Sequence, residues 1–391
     1  MDRIIKYGGA VTGFKELWAI LKSLWRSHKT FNWQQAEEGK KFEEELANYL
    51  GVEHAILTNS GSSAGLLALS ALELPMGSEV IISACTFPTI FNIILQCGLV
   101  PVVVDAKVGT YNLDVSELEN AITEKTRAII AIHACGNPVD MPALMEVARK
   151  YNLYVLEDNC DGFGSTIKGR KVGSFGDISF TSFHAAHIVS MGVGGGVFTS
   201  NAEMAKRVRM YRDMGRQADT TRPSDYEGIP KDYNPRFIYE KIGYNFQILD
   251  LQAAMGRVQL RKIDQIKSSR KEHFDYLVNY LKRFEDKGLI LPKVVEGANV
   301  CWFSLPLTYM GNRGKLVKYL EQAGIETRSL FAGNIIKHPA YKDQNYRVVG
   351  LADCNVILEK SFWISVHPRL IQEDLDYICN VFKTFFSHET T

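Results

Sequence analysis

Two rhythms of apolar and polar residues run along this chain. Over residues 36–50, Phe42, Leu46, Tyr49 and Leu50 share one face at helical spacing and Gly51 follows as a C-cap, which predicts a helix. Further on, short β-type runs at 55–57, 80–82, 100–104, 128–132 and 154–156 are parted by helix-type stretches such as 62–72, 116–122 and 143–151. Strands parted by helices build βαβ units. The expected fold is therefore α/β, a large domain with a mostly parallel sheet flanked by helices.

The rhythm changes after residue 165. Lys168-Gly169-Arg170-Lys171 looks like a hairpin turn, residues 177–183 alternate as a strand does, and residues 202–214 form a further helix ended by Gly215. Residues 216–239 are polar, hold three prolines and show no period. A loop of that length in a compact protein is usually functional. A helical pattern resumes over 248–265. Extended residues 300–307, a helix at 315–324 and a helical end after Gln372 then predict a smaller α+β domain. The division expected is a large domain at 1–265 and a small one at 266–391. Near the start, Phe14, Leu17, Trp18, Leu21, Leu24 and Trp25 line one face of an amphipathic helix at 14–28, with Lys15, Glu16, Lys22 and Arg26 filling much of the rest. A basic amphipathic helix can lie on a membrane. Docking on its own protein or on a partner subunit is the expected use.

Composition sharpens this by exclusion. At 391 residues, 46% hydrophobic and 23% charged, the chain is an ordinary globular protein of two or three domain-sized units. Lys+Arg 45 against Asp+Glu 44 leaves a formal charge of +1, so neither nucleic acid nor an anionic membrane is expected as a partner. The seven cysteines are scattered and show no CxxC spacing, so no metal site or disulfide framework is expected, and a cytoplasmic setting fits best. The longest apolar stretch, 93–104, is interrupted by Gln96 and Pro101 and is too short to span a bilayer.

In a parallel α/β sheet, ligands bind beyond the carboxyl ends of the strands. After the run at 55–57 comes Thr58-Asn59-Ser60-Gly61-Ser62-Ser63-Ala64 and then a helix. Small hydroxyls and free N–H groups at a helix start suit a phosphate; a plain serine N-cap would look the same. After 154–156 comes Glu157-Asp158-Asn159-Cys160-Asp161. A carboxylate at a buried strand end needs a cation or hydrogen-bond donors, so it could bind a metal, act as a base, hold a protonated ring nitrogen or cap the next helix. After 177–183 comes His184-Ala185-Ala186-His187, followed by the glycine cluster Gly192 to Gly196, which reads as close chain packing beside a site.

The order Ser60-Gly61-Ser62, Thr86-Phe87, Glu157-Asp158, Ser182 to His187 and Gly243-Tyr244-Asn245, with Trp363-Ile364 near the end, resembles the DegT/DnrJ/EryC1/StrS family. These are B6-dependent enzymes of sugar-nucleotide metabolism with the aspartate aminotransferase fold (fold type I). The resemblance implies a pyridoxal or pyridoxamine 5'-phosphate cofactor and a homodimer with shared active sites. Gly61, Ser62 and Ser182 would hold the cofactor phosphate, with Asn245 reaching across from the second subunit. Phe87 would stack on the pyridine ring. Asp158 would pair with the protonated pyridine nitrogen, and Asp161 would sit near the ring hydroxyl, where the family's aminotransferases usually carry Gln.

A second position departs further from those aminotransferases. They bond the cofactor through a lysine where this chain has His187, and imidazole has no primary amine. His187 can still move protons near neutral pH. This resembles the 3-dehydratases of 3,6-dideoxysugar biosynthesis, as do the Asp-Asn-Cys-Asp run, the Ala-Ala-His run and Leu330-Phe331-Ala332-Gly333-Asn334. The implied substrate is a nucleotide-linked 4-keto-6-deoxy sugar that loses its C3 hydroxyl, with His187 as acid and base. Some members of this branch carry an iron–sulfur cluster. Cys160 matches their first ligand, but residues 188–242 contain no cysteine, which favours the cluster-free version that regenerates its amine cofactor from glutamate. The branch usually has Gly-Glu-Gly-Gly where this chain reads Gly192-Val193-Gly194-Gly195. The alternatives are an aminotransferase or epimerase without the covalent lysine, and a non-catalytic binding homologue.

Overall fold

The computed structural model describes residues 4–216 and 222–388. The apolar runs become β1 (His54–Thr58), β2 (Glu79–Ser83), β3 (Val100–Val104), β4 (Thr126–Ile132) and β5 (Tyr154–Asp158). The hairpin β6 (Thr166–Ile167) and β7 (Arg170–Lys171) follows, turned by Lys168 and Gly169 at φ 48° and 81°. Both angles are left-handed, as a two-residue hairpin turn requires. β8 (Ile178–Ser182) and β9 (Gly195–Thr199) come next.

Eight strands form one sheet in the order β1-β9-β8-β5-β4-β2-β3, closed at the far edge by Arg347–Val349. Every neighbouring pair from that edge to β8 is parallel, and β9 runs against both β8 and β1. The expected α/β class and mostly parallel sheet are thus found. Helices α1 (Phe14–Thr30), α2 (Glu37–Leu50), α3 (Gly61–Ser70) and α4 (Pro88–Gln96) lie in the first hundred residues. One core joins α3 and α4 to Ile82, Ile130, Leu156 and Phe180, and another joins Leu144 and Ala148 to Ile81, Ile129 and Val155. Neighbouring residues of a strand thus pack into different cores, so the runs are apolar without a break. A second, antiparallel sheet of Leu289–Ile290, Leu305–Tyr309, Ser361–Ile364 and Thr327–Arg328 has its own core, built around Phe362, Phe382 and Phe386.

Three local expectations change. The pattern at 248–265 is two helices, Asp250–Leu260 and Ile263–Leu281, broken at Arg261 and Lys262 where no glycine or proline marks the break. The second helix runs through residues 265 and 266. Extended residues 300–307 are a strand only from Leu305, because Val300 to Ser304 instead cross the sheet's open end, where Phe303 N–H donates to the Cys135 carbonyl (2.9 Å). Helix α1 does not dock its apolar face on its own protein, the first of the two uses expected; within the chain it buries Glu16, Ser23 and Ser27. The polar stretch 216–239 includes residues 217–221, which lie outside the described residues; beyond them come the single turns Pro223–Asp225 and Pro235–Phe237. Among the described residues no helix is long and apolar enough to cross a membrane.

Candidate active site

The carboxyl ends of β4, β5 and β8 open into one cavity of about 640 Å³. Gly61, Ser62, Phe87, Asp158, Asp161, Ser182 and His187 all line it. Asn245 does not: it is exposed, and its backbone bridges to Asp213.

At one side stands the start of α3. The Ser60 hydroxyl accepts the N–H of Ser63 (3.0 Å), which leaves those of Gly61 and Ser62 without an acceptor in the helix. Ser62 and Thr89 share a hydroxyl contact at 2.9 Å. A Cβ at Gly61 would lie 2.6 Å from the Ser182 Cβ, so only glycine lets α3 approach the end of β8. Gly195 is constrained in the same way, since its Cβ would lie 2.4 Å from the Ser60 carbonyl oxygen. That is the close packing expected of the glycine cluster. Two free N–H groups, a helix dipole and small hydroxyls make an anion cradle.

The carboxylates beyond β5 are not equivalent. Glu157 is fully buried and fully satisfied. It accepts N–H bonds from Gly173 (2.7 Å), Phe175 (2.6 Å) and Gly176 (2.7 Å), and His133 Nε2 lies 3.1 Å away. His133 Nδ1 accepts from Val139 N–H (3.2 Å), which leaves Nε2 as the donor to Glu157. Asp158 accepts from Cys160 N–H (3.0 Å) and is bonded by the Cys160 thiol, and burial raises its pKa above the ordinary carboxylate value. Asp161 accepts from Cys135 N–H (3.2 Å), from a residue held at φ 54°. Burial, and then the neighbouring Asp158, push the Asp161 carboxyl up to about 8.

His187 faces this acidic group. Its Nδ1 stands 3.5 Å from Asp161 Oδ1, is buried, and makes no hydrogen bond. Burial, reinforced by His184 and Arg270, pulls the imidazole down to about 3, so the resting ring is neutral. Phe303 packs against the ring with centroids 5.3 Å apart. Phe303 is itself held by the buried Arg270, which donates to its carbonyl (2.7 Å). Cys160 also lines the cavity, and burial beside Asp158 keeps its thiol protonated.

Sequence reasoning missed the outer wall. Tyr7, Phe303, Arg328 and Trp363 close it, linked by ring contacts from His187 to Phe303, Phe303 to Trp363 (5.6 Å) and Trp363 to Tyr7 (5.8 Å), with the Arg328 guanidinium 4.0 Å above Tyr7. No local signal marks these residues as partners. His133, by contrast, directly follows the run at 128–132, so the strand-end rule that singled out Asp158 applies to it equally.

Fold and cavity together define an aminotransferase-type enzyme. Residues 19–383 match the DegT/DnrJ/EryC1/StrS aminotransferase family, and the chain belongs to it. Membership places it among B6-dependent enzymes of nucleotide-linked sugars. It is 39% identical to the lipopolysaccharide biosynthesis protein RfbH of Salmonella typhimurium, across 98% of this chain and 92% of that one. It is 38% identical to a dTDP-4-dehydro-2,6-dideoxy-D-glucose 3-dehydratase of Saccharopolyspora spinosa, across 88% and 79%. An Escherichia coli GDP-4-keto-6-deoxy-D-mannose 3-dehydratase solved with hydrated PLP superposes with a TM-score of 0.87 at 26% identity, covering 97% of this chain and all of that one. The donor set fits such a cofactor: a cradle for phosphate, the exposed ring of Phe87, and the buried Asp158 carboxyl, bonded only weakly and by one residue, Cys160, among the described residues, for a protonated ring nitrogen.

Proposed function

We propose that this chain is a pyridoxamine-phosphate-dependent 3-dehydratase of a nucleotide-linked 4-keto-6-deoxyhexose, working without an iron–sulfur cluster and regenerating its amine cofactor from glutamate. One observation carries the reading: among the described residues no lysine lines the cavity, and the imidazole of His187 stands there instead. A cavity with no amine suits a cofactor that arrives already in its amine form. The bound cofactor supplies an amine for the sugar ketone and a ring that withdraws electrons.

The chain's own residues do the rest. The N–H groups of Gly61 and Ser62 and the Ser182 hydroxyl hold the phosphate. Phe87 covers the ring, Asp158 pairs with its nitrogen, and Asp161 lies beside its hydroxyl. The exposed Asn245, outside its own cavity, serves the second subunit of a homodimer. His187, neutral at rest, accepts at Nε2, the nitrogen not set against Asp161, the carbon-bound proton that the reaction releases, and then donates it to the departing C3 hydroxyl, which leaves as water. A buried imidazolium is costly; a hydrogen bond from Nδ1–H to the Asp161 oxygen 3.5 Å away offsets part of that cost and orients the ring. Asp161 is thus the positioning residue of His187. Arg328 places positive charge on the outer wall, where a diphosphate or the glutamate carboxylate would lie. The absence of cysteine from 188–242, which leaves Cys160 without the other thiolates a cluster needs, supports the cluster-free version.

The test is turnover of GDP-, CDP- and dTDP-linked 4-keto-6-deoxy sugars by the purified protein with pyridoxamine phosphate and glutamate. A 3-deoxy product from one of them is expected. An amino sugar in its place, or a cofactor fixed to a lysine by borohydride, would overturn the reading.

A further inference from the structure

Helix α1 is fastened by its polar side. Glu16 accepts from the Gly13 N–H (2.9 Å) and the Gln259 amide (2.7 Å) and pairs with Lys262, while Arg26 pairs with Glu38 (2.9 Å). These contacts hold it along helix Asp250–Leu260. The apolar side is left outward. Phe14 is 77% exposed and Trp18 and Trp25 are each 61% exposed, with Leu17, Leu21 and Leu24 beside them. At 100° per residue these side chains span an arc roughly 120° wide. Lys15, Lys22 and Lys29, seven residues apart, run along one border of that arc, all exposed. Lys15 and Lys22 make no ion pair among the described residues, and the Lys29 ammonium sits 3.8 Å over the Trp25 ring.

We propose that α1 is a membrane-surface anchor whose Phe14, Leu17, Trp18, Leu21 and Trp25 stripe enters the headgroup region of an anionic lipid layer, with Lys15, Lys22 and Lys29 against its phosphates. Tryptophan at a water–lipid boundary and lysines on the edge of the stripe are the chemistry such a surface selects. A partner protein would need acidic groups along a single border only, whereas an anionic lipid surface meets that edge wherever it lies. With a formal charge of only +1 on the whole chain, the attraction must come from this local row. The anchor shares no residue with the cavity, so it stands or falls independently of the dehydratase reading.

Flotation of the full chain with vesicles tests it, using phosphatidylcholine alone or mixed equally with phosphatidylglycerol. Binding is expected with the mixed vesicles, accompanied by quenching of tryptophan by brominated lipid. Exchanging Lys15, Lys22 and Lys29 together for Gln should weaken it about a hundredfold, at about fivefold per lysine. The pair Trp18→Glu and Trp25→Glu should abolish both flotation and quenching while leaving the solution mass by light scattering unchanged. Both positions are exposed, so no core is lost. Three results would overturn the proposal: no flotation of the wild type, flotation unchanged in both variants, or a lighter assembly in the tryptophan variant, which would make this face a contact between copies of the chain.

Discussion

Glu157 with His133 and Asp161 with His187 are two carboxylate–imidazole pairs built around the end of one strand, β5. The first is complete: three N–H groups and one imidazole satisfy the carboxylate, and both ring nitrogens of His133 are engaged. The second is left incomplete, with Nδ1 of His187 unpartnered and Asp161 holding one N–H bond. A satisfied buried network rigidifies a fold, whereas an unsatisfied one keeps its protons transferable. Glu157 ties the loop after β7 to the sheet; Asp161 and His187 keep their capacity for the ligand. Sequence proximity does not separate these roles, since Glu157 and Asp161 lie on the same short run.

The comparison can be broken most sharply at His187. His187→Asn should lower dehydration by about a thousandfold, the scale of a lost general acid–base group, with the unfolding midpoint little changed. A variant that unfolded in step with its loss of rate would make His187 structural. Glu157→Gln should do the reverse. It removes the charge from a fully buried hydrogen-bonded carboxylate and should cost about 2–3 kcal/mol in urea denaturation, with any surviving folded enzyme keeping the wild-type pH profile. If stability held and the profile moved, the two pairs would be alike.

Asp161→Asn lies between these. Turnover should fall about tenfold, as for other groups that orient a reacting imidazole. Its signature is in the pH dependence of stability. The folded carboxyl is raised to about 8 from an ordinary value near 4, so the folded state holds a proton the unfolded chain releases. That contribution is fully present below about pH 4 and is lost as pH rises toward 8. Asp161→Asn should flatten that fall in the urea midpoint; an unaltered slope would show that Asp161 titrates normally. His187 has the opposite sign: its imidazole is lowered to about 3, so stability falls as the medium is acidified below about 6.5. The smallest effect is expected at Cys160. Cys160→Ala should shift unfolding by about 1 kcal/mol or less and leave turnover intact; loss of activity would revive a role for the thiol.

What the chain determined by itself was local. Periodicity placed the strands, because whether a side chain is apolar every second or every third position depends on its neighbours in sequence alone. The Gly192–Gly196 cluster could be marked as close packing, and Asp158, Asp161, Ser182 and His187 could be placed at strand ends, because turn chemistry and strand termini are also local signals. The absence of cysteine from 188–242 is likewise a property of the string. Tertiary structure alone decided which carboxylate is satisfied, since the donors to Glu157 come from the loop after β7 and from His133 just beyond β4. It alone brought Tyr7 to Trp363 and Arg328, residues more than three hundred positions apart. It alone turned α1 over, because Glu16 finds Gln259 and Lys262 only once Asp250–Leu260 is in place. Burial and hydrogen-bond satisfaction depend on groups remote in sequence, and those two quantities set the protonation of His187 and Asp161.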